Sequence, residues 1–206
     1  MHEYLFNRFS KQTKRSRYFS KNQTFLDYMW QPAKQFHANT PTLVYFVGYE
    51  GKIPNTANQQ STWNILRISD SNGPEGKGAW YFGTNGEDYI LQSTREFLNE
   101  MILCGLINKH ELFFSGKGMG GHAAIYMTTE FNAKGCLAHN PTTNLFDSAY
   151  VKKKHESLFD QIFSNTTPND YRNLQSKVSG ISSKISISHN LDSGQTFFRE
   201  HIAPMS

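Results

Sequence analysis

The sequence predicts an α/β domain built on a mainly parallel sheet with helices on both faces. Three observations point there: short continuous runs of β-branched and aromatic residues, helical-period segments alternating with them, and a glycine cluster between one such run and the next helical segment. Thr42-Leu-Val-Tyr-Phe-Val-Gly48 is the first firm run, entered from Pro41 and closed by Gly48 and Gly51, as expected of a strand buried on both faces. Trp63 to Ile68 reads as a second strand, and the turn-rich stretch Asp70 to Gly78 is expected to deliver a short one at Ala79-Trp-Tyr-Phe82. With Asp88 as its N-cap, a helix follows from the recurrence of Tyr89, Ile90, Phe97, Leu98, Met101, Ile102 and Leu106. Glu111 to Ser115 is a buried strand, Gly116 to Gly121 a tight turn, and His122 to Phe131 a helix whose Ala123, Ala124 and Tyr126 permit close packing. Gly135 to His139 returns as a strand. Residues 143 to 178 are expected to be mainly helical with breaks at Asn165 and Pro168, Lys184 to His189 is the last strand, and Thr196 to Ile202 is helix-like.

The first 40 residues are polar, basic and aromatic without a sustained period. They are expected to form a weakly structured or wrapping arm with a short helix around Phe25 to Trp30, ahead of a folded domain over 41–206. Lys11, Lys14, Arg15, Arg17 and Lys21 crowd this arm, with Tyr18 and Phe19 among them. Such a cluster suits phosphates or acidic glycans, but no nucleic-acid-binding signature accompanies it, so a solvated arm and no nucleic-acid partner are expected.

At 206 residues the chain suits one well-filled core better than two. An apolar fraction of 37% with 18% charged and 14% aromatic residues excludes disorder of the whole chain, and the net charge is +4. Cys104 and Cys136 lack C-x-x-C spacing and read as reduced core thiols. With no run of about 20 apolar residues and no signal-peptide pattern, no membrane insertion and a cytoplasmic location are expected. No His or Cys pair shows ligand spacing backed by carboxylates, so no metal is expected.

Gly116-Lys-Gly118-Met-Gly120-Gly121 carries the most information about function, because open α/β sheets place their sites at the carboxyl ends of strands. Three readings compete. The first is a nucleophile elbow, G-x-S-x-G, in which small residues flank a strained nucleophile between strand and helix. Gly116, Gly120 and Gly121 fit that frame, but its centre is Gly118, which has no side chain to attack with. Ser115 does not substitute, because Phe113 and Lys117 would then flank the nucleophile. The second reading is a dinucleotide fingerprint, G-x-G-x-x-G, over Gly116, Gly118 and Gly121. That motif calls for an acidic residue about 20 positions on, where this chain has Ala138-His-Asn-Pro141. The third is structural: glycines gathered where a helix approaches a strand closely.

Asn64-Ile-Leu-Arg-Ile-Ser-Asp70, Gly78-Ala-Trp-Tyr-Phe-Gly83, the stretch Leu112 to Tyr126 and Ala138-His-Asn-Pro141 together resemble the XcbB/CpsF capsular polysaccharide biosynthesis family. The accessory Sec glycan O-acetyltransferases look similar in the same order. The resemblance runs from about Leu43 to the C-terminus, most specifically over Asn64 to Pro141. It implies an α/β-hydrolase-like fold and a role in building or acetylating bacterial surface glycan. Family members keep a serine at the elbow, and this chain departs from them at Gly118.

In that frame the oxyanion hole uses the backbone N–H after the nucleophile and another from the loop after an earlier strand, here Met119 and the Gly48-Tyr49 region. Asp192 stands where the acid follows the late strand, and a turn or cap aspartate is its other reading. His201 is the candidate base, with a surface position expected for it. His122 is expected to face one turn away from the site, and His139, at a strand end, to line the pocket. The span is expected to stop short of the last strand and histidine loop of the frame. The resulting expectation is a glycan-biosynthesis protein without serine-based acyl transfer, needing no cofactor. A glycan or a protein of the glycosylation machinery is its expected partner, and a non-catalytic binding module is the alternative.

Overall fold

The computed structural model describes residues 13–49, 51–53, 61–145, 149–163, 174–190 and 197–205. Among them are seven strands: β1 (Lys14–Phe19), β2 (Phe25–Gln31), β3 (Thr42–Phe46), β4 (Asn64–Ser69), β5 (Leu112–Lys117), β6 (Gly135–His139) and β7 (Lys184–Ser188). They form one sheet in the order β1-β2-β4-β3-β5-β6-β7. β2 runs antiparallel to both β1 and β4, and every later pairing is parallel. The described helices are α1 (Tyr89–Leu103), α2 (Met119–Phe131), α3 (Ala149–Phe163) and α4 (Leu174–Val178).

The core follows from register. Trp30, Leu66, Val44, Phe114 and Cys136 stand side by side across five strands, all buried, and Leu26, Ile68 and Phe46 extend the same face. α1 covers it through Phe97, which meets Tyr18 and Tyr28 with ring centroids 4.7 Å apart in each case. α2 covers its centre, with Phe131 against Phe114, and α3 and α4 add Val151, Ile162, Phe163 and Leu174 to the same cluster. The opposite face carries a smaller cluster of Met29, Val47 and Ile53 with Tyr45. Leu137 on that face is 55% exposed. Among the described residues, then, the expected helical cover is seen on one face.

The amino-terminal region departs from expectation. Lys14–Phe19 and Phe25–Gln31 are two paired strands of the sheet, where a wrapping arm and a helix at Phe25 to Trp30 were expected. The reason is tertiary: β2 pairs with both β1 and β4, and although burial alternates over Phe25 to Tyr28, Tyr28, Met29, Trp30 and Gln31 are buried in succession, which blurs the period-2 pattern that marks a strand. The basic residues stay at the surface: Arg17 pairs with Asp27 at 2.8 Å, and its guanidinium lies over the Phe25 ring. Lys11 lies outside the described residues.

Ala79 to Phe82 is a turn and not the expected strand, with Trp80 at φ 52° and Tyr81 at φ 58°. Asp88 precedes α1 but makes no side-chain cap bond to its backbone; its carboxylate accepts from the Gln92 side chain. α2 starts at Met119, three residues earlier than expected, so the glycine turn shrinks to Gly118 itself. The expected breaks at Asn165 and Pro168 lie outside the described residues.

Candidate functional site

The turn between β5 and α2 is built by exclusion. A Cβ at Gly116 would collide with the Gly120 carbonyl, and one at Gly120 with the Phe46 carbonyl of β3. Only glycine lets the helix start this close to two strands. Gly118 is different. It takes φ 55° and ψ −116°, a conformation costly for any residue with a side chain, yet a Cβ there meets no atom within 4 Å. The backbone thus has the sharp strand-to-helix form that projects one residue into open space, and the projecting residue is empty of side chain.

This turn is tied down on both sides. Gly118 donates its N–H to the His139 carbonyl at 2.9 Å, and its own carbonyl accepts from the His122 N–H at 3.0 Å. Met119 opens α2, where the first-turn N–H groups have no partner inside the helix. A Cβ on Gly48 would stand 2.9 Å from the Lys117 carbonyl, so the loop after β3 runs directly beside the turn. Tyr49 follows it, its ring 4.7 Å from His155 of α3 and 6.5 Å from Trp80. The structure therefore gathers Gly116, Gly118, Met119, Gly120, Gly121, Gly48, Tyr49 and His139 at the carboxyl edge of β3, β5 and β6.

His139 is half-buried, with Nδ1 2.9 Å from the Ser188 hydroxyl at the end of β7. His122 is fully buried; its Nδ1 meets the Thr142 carbonyl and its ring stands edge-on to Phe82. Asp192 lies outside the described residues.

His201 differs from the surface position expected of it: it is fully buried in a π-helical turn, Phe198–Ile202. Its Nδ1 accepts the Asn144 N–H at 3.3 Å, and its carbonyl takes the Thr143 hydroxyl at 2.7 Å. Burial lowers its pKa to about 4, only partly opposed by Glu200. An imidazole held neutral with Nδ1 already accepting is fastened to the loop after β6 rather than poised to take a proton there.

Sequence reasoning missed the support beneath the turn. Asp70 is buried at the end of β4 and accepts the N–H groups of Asn72 at 3.1 Å, Ala79 at 2.6 Å and Tyr81 at 3.0 Å. Desolvation raises its pKa against the pull of those donors. Trp80 donates its backbone N–H to Met119 Sδ at 3.3 Å and its indole N–H to Thr142 at 2.9 Å. The one legible sign was the turn-rich run from Asp70 to Gly78; nothing in the sequence singled out Thr142 or His155. Among the described residues no group of three or more His, Cys, Asp or Glu is placed to hold a metal. No described helix is long and apolar enough to cross a membrane.

The dinucleotide reading loses its structural context. Its motif opens the first βαβ unit of a sheet ordered 3-2-1-4-5-6, whereas these glycines follow the fifth strand of a sheet ordered 1-2-4-3-5-6-7.

Neither a family model nor a curated protein matches the chain. Solved structures do. The capsule O-acetyltransferase of Neisseria meningitidis serogroup A is 18% identical over 88% of this chain and 77% of its own, with a TM-score of 0.63. An S-formylglutathione hydrolase from Agrobacterium tumefaciens is 15% identical over 95% of this chain and 80% of its own, with a TM-score of 0.69. The glycosylation-associated protein complex Gap123 from Streptococcus agalactiae is 17% identical over 85% of this chain and 42% of its own, with a TM-score of 0.55. At these identities the likeness is one of fold, and the chain has the α/β-hydrolase fold.

Proposed function

We propose that this chain serves bacterial surface-glycan assembly as an α/β-hydrolase-fold protein of the XcbB/CpsF kind whose elbow binds a glycan or a glycosylation-machinery protein without forming an acyl-enzyme. One observation carries the reading: Gly118 holds the strained backbone of a nucleophile position, with open space where a side chain would project and no side chain there. A covalent serine step needs a hydroxyl at that point, whereas the neighbouring N–H groups of Met119 and the Gly48 loop belong to the backbone and do not depend on it. The resemblance of Asn64 to Pro141 to capsule proteins supports the glycan setting, as does the likeness to a capsule O-acetyltransferase and to a glycosylation-associated complex.

The test compares p-nitrophenyl acetate turnover by the native chain and by Gly118→Ser, with folding checked by circular dichroism. The native chain is expected to form no acyl-enzyme. Acylation of the serine variant alone supports an intact elbow lacking its nucleophile. Acylation of the native chain overturns the proposal.

A further inference from the structure

We propose that Asp70 is a positioning residue of the elbow: by holding the Ala79-Trp80-Tyr81 turn it sets the side chain of Met119, and with it the direction of the Met119 N–H beside Gly118. The inference rests on the elbow reading of the glycine turn.

Trp80 and Tyr81 are consecutive bulky residues in the left-handed region, each costly alone. Strain of this kind persists only where the surroundings over-determine it. Here one carboxylate oxygen of Asp70 accepts the N–H groups on either side of Trp80, those of Ala79 and Tyr81, while the other oxygen takes Asn72. With its neighbours held, the Trp80 N–H is aimed away from Asp70, onto Met119 Sδ. The fit is mutual: a Cβ on Gly78 would lie 2.6 Å from Met119 Cε, so the turn is moulded to this methionine.

The far end of the turn is anchored to the other walls of the site. The Tyr81 hydroxyl donates to the carbonyls of Val47, just before Gly48, at 2.9 Å and of Ile68 at 2.8 Å. The Trp80 indole reaches Thr142 beyond β6. Asp70 therefore sits at the root of contacts to the loops after β3, β4 and β6 and to the first residue of α2. The groups facing its carboxylate are the N–H groups of Asn72, Ala79 and Tyr81, the Asn72 side chain and, as the titratable group interacting with its charge, the Tyr81 phenol.

The Asp70→Asn substitution is isosteric but turns one hydrogen-bond acceptor into an NH2 that faces an N–H donor. With methionine methyl groups labelled with carbon-13 and Met119 assigned by Met119→Leu, the Met119 resonance is expected to move by more than its linewidth in Asp70→Asn. Those of Met101 and Met205 are expected to stay. An unmoved Met119 resonance, or all methionines moving together, overturns the proposal.

If Asp70→Asn does not fold, the native chain decides: the Met119 methyl must titrate with the same midpoint as the Asp70 carboxyl carbon, and separate midpoints overturn it. In the Gly118→Ser chain, Asp70→Asn is further expected to slow acylation about tenfold at little change in half-saturating ester, the mark of a misplaced oxyanion donor. A Gly118→Ser chain that does not acylate would mean that acid and base are missing as well or that the elbow reading is wrong, and the methyl resonances then judge Asp70 without the kinetic arm.

Discussion

The Gly118 amide donates to the His139 carbonyl at 2.9 Å, which fastens the turn after β5 to the last residue of β6. The bond explains how a residue at φ 55° and ψ −116° is held with no side chain of its own to anchor it.

Alanine at Gly118 has room but meets backbone strain, so Gly118→Ala is expected to cost about 1–2 kcal/mol. Alanine at Gly120 would strike the Phe46 carbonyl, which the β3 ladder holds in place, so Gly120→Ala is expected to cost at least about 3 kcal/mol or to prevent folding. Urea unfolding of the two variants measures the difference. Equal losses would mean that the helix is free to back away from β3.

Trp30 is fully buried in β2, a region that reads as a surface arm by composition alone. Trp30→Ala is expected to lose about 3–5 kcal/mol by equilibrium unfolding, the usual result of emptying a large core site. A loss within the range of surface substitutions would remove β2 from the core.

Tyr81 buries a hydroxyl shared between the Val47 and Ile68 carbonyls. Tyr81→Phe keeps the ring against Phe46 and removes only those bonds, for an expected loss of about 1–3 kcal/mol. Because Val47 adjoins Gly48, amide exchange at Gly48 and Tyr49 is expected to quicken in the variant. Unchanged exchange there would show that the loop after β3 is held by other contacts.

The His201 pKa falls from 6.5 to about 4 on burial, so the unfolded chain takes up a proton at a pH where the folded chain does not. Its contribution to stability is complete above about pH 6.5 and is lost as pH falls through 4, amounting to on the order of 3 kcal/mol. Stability is measured by urea unfolding between pH 7 and pH 4 in the native chain and in His201→Asn. The variant is expected to lack this part of the acid slope, and identical slopes would show that His201 titrates normally.

Much of the fold was legible because the evidence for it is local. The runs at Thr42 to Phe46, Leu112 to Ser115 and Gly135 to His139 are short, apolar and bounded by turn residues, and each is an interior strand of the sheet. The glycine spacing at 116, 118, 120 and 121 was equally readable, since a turn that tight leaves few residues to choose from. Ala79 to Phe82 misled: its aromatic composition suits a strand, but Asp70, nine or more residues earlier, captures its N–H groups and imposes a turn. Thr142 and His155 joined the site unannounced because both meet the Trp80 ring across long stretches of chain.

The parallel α/β core and the glycine turn at the end of β5 are written locally in the chain, because apolar period and steric room are properties of neighbouring residues. Long-range contacts set the remainder. β1 and β2 became strands by pairing onward to β4, Trp80 and Tyr81 became a left-handed pair under Asp70, and His201 went from expected surface to core beneath Thr143 and Asn144. Cross-strand register, capture of backbone N–H groups and desolvation depend on what distant residues bring alongside, and no local pattern carries them.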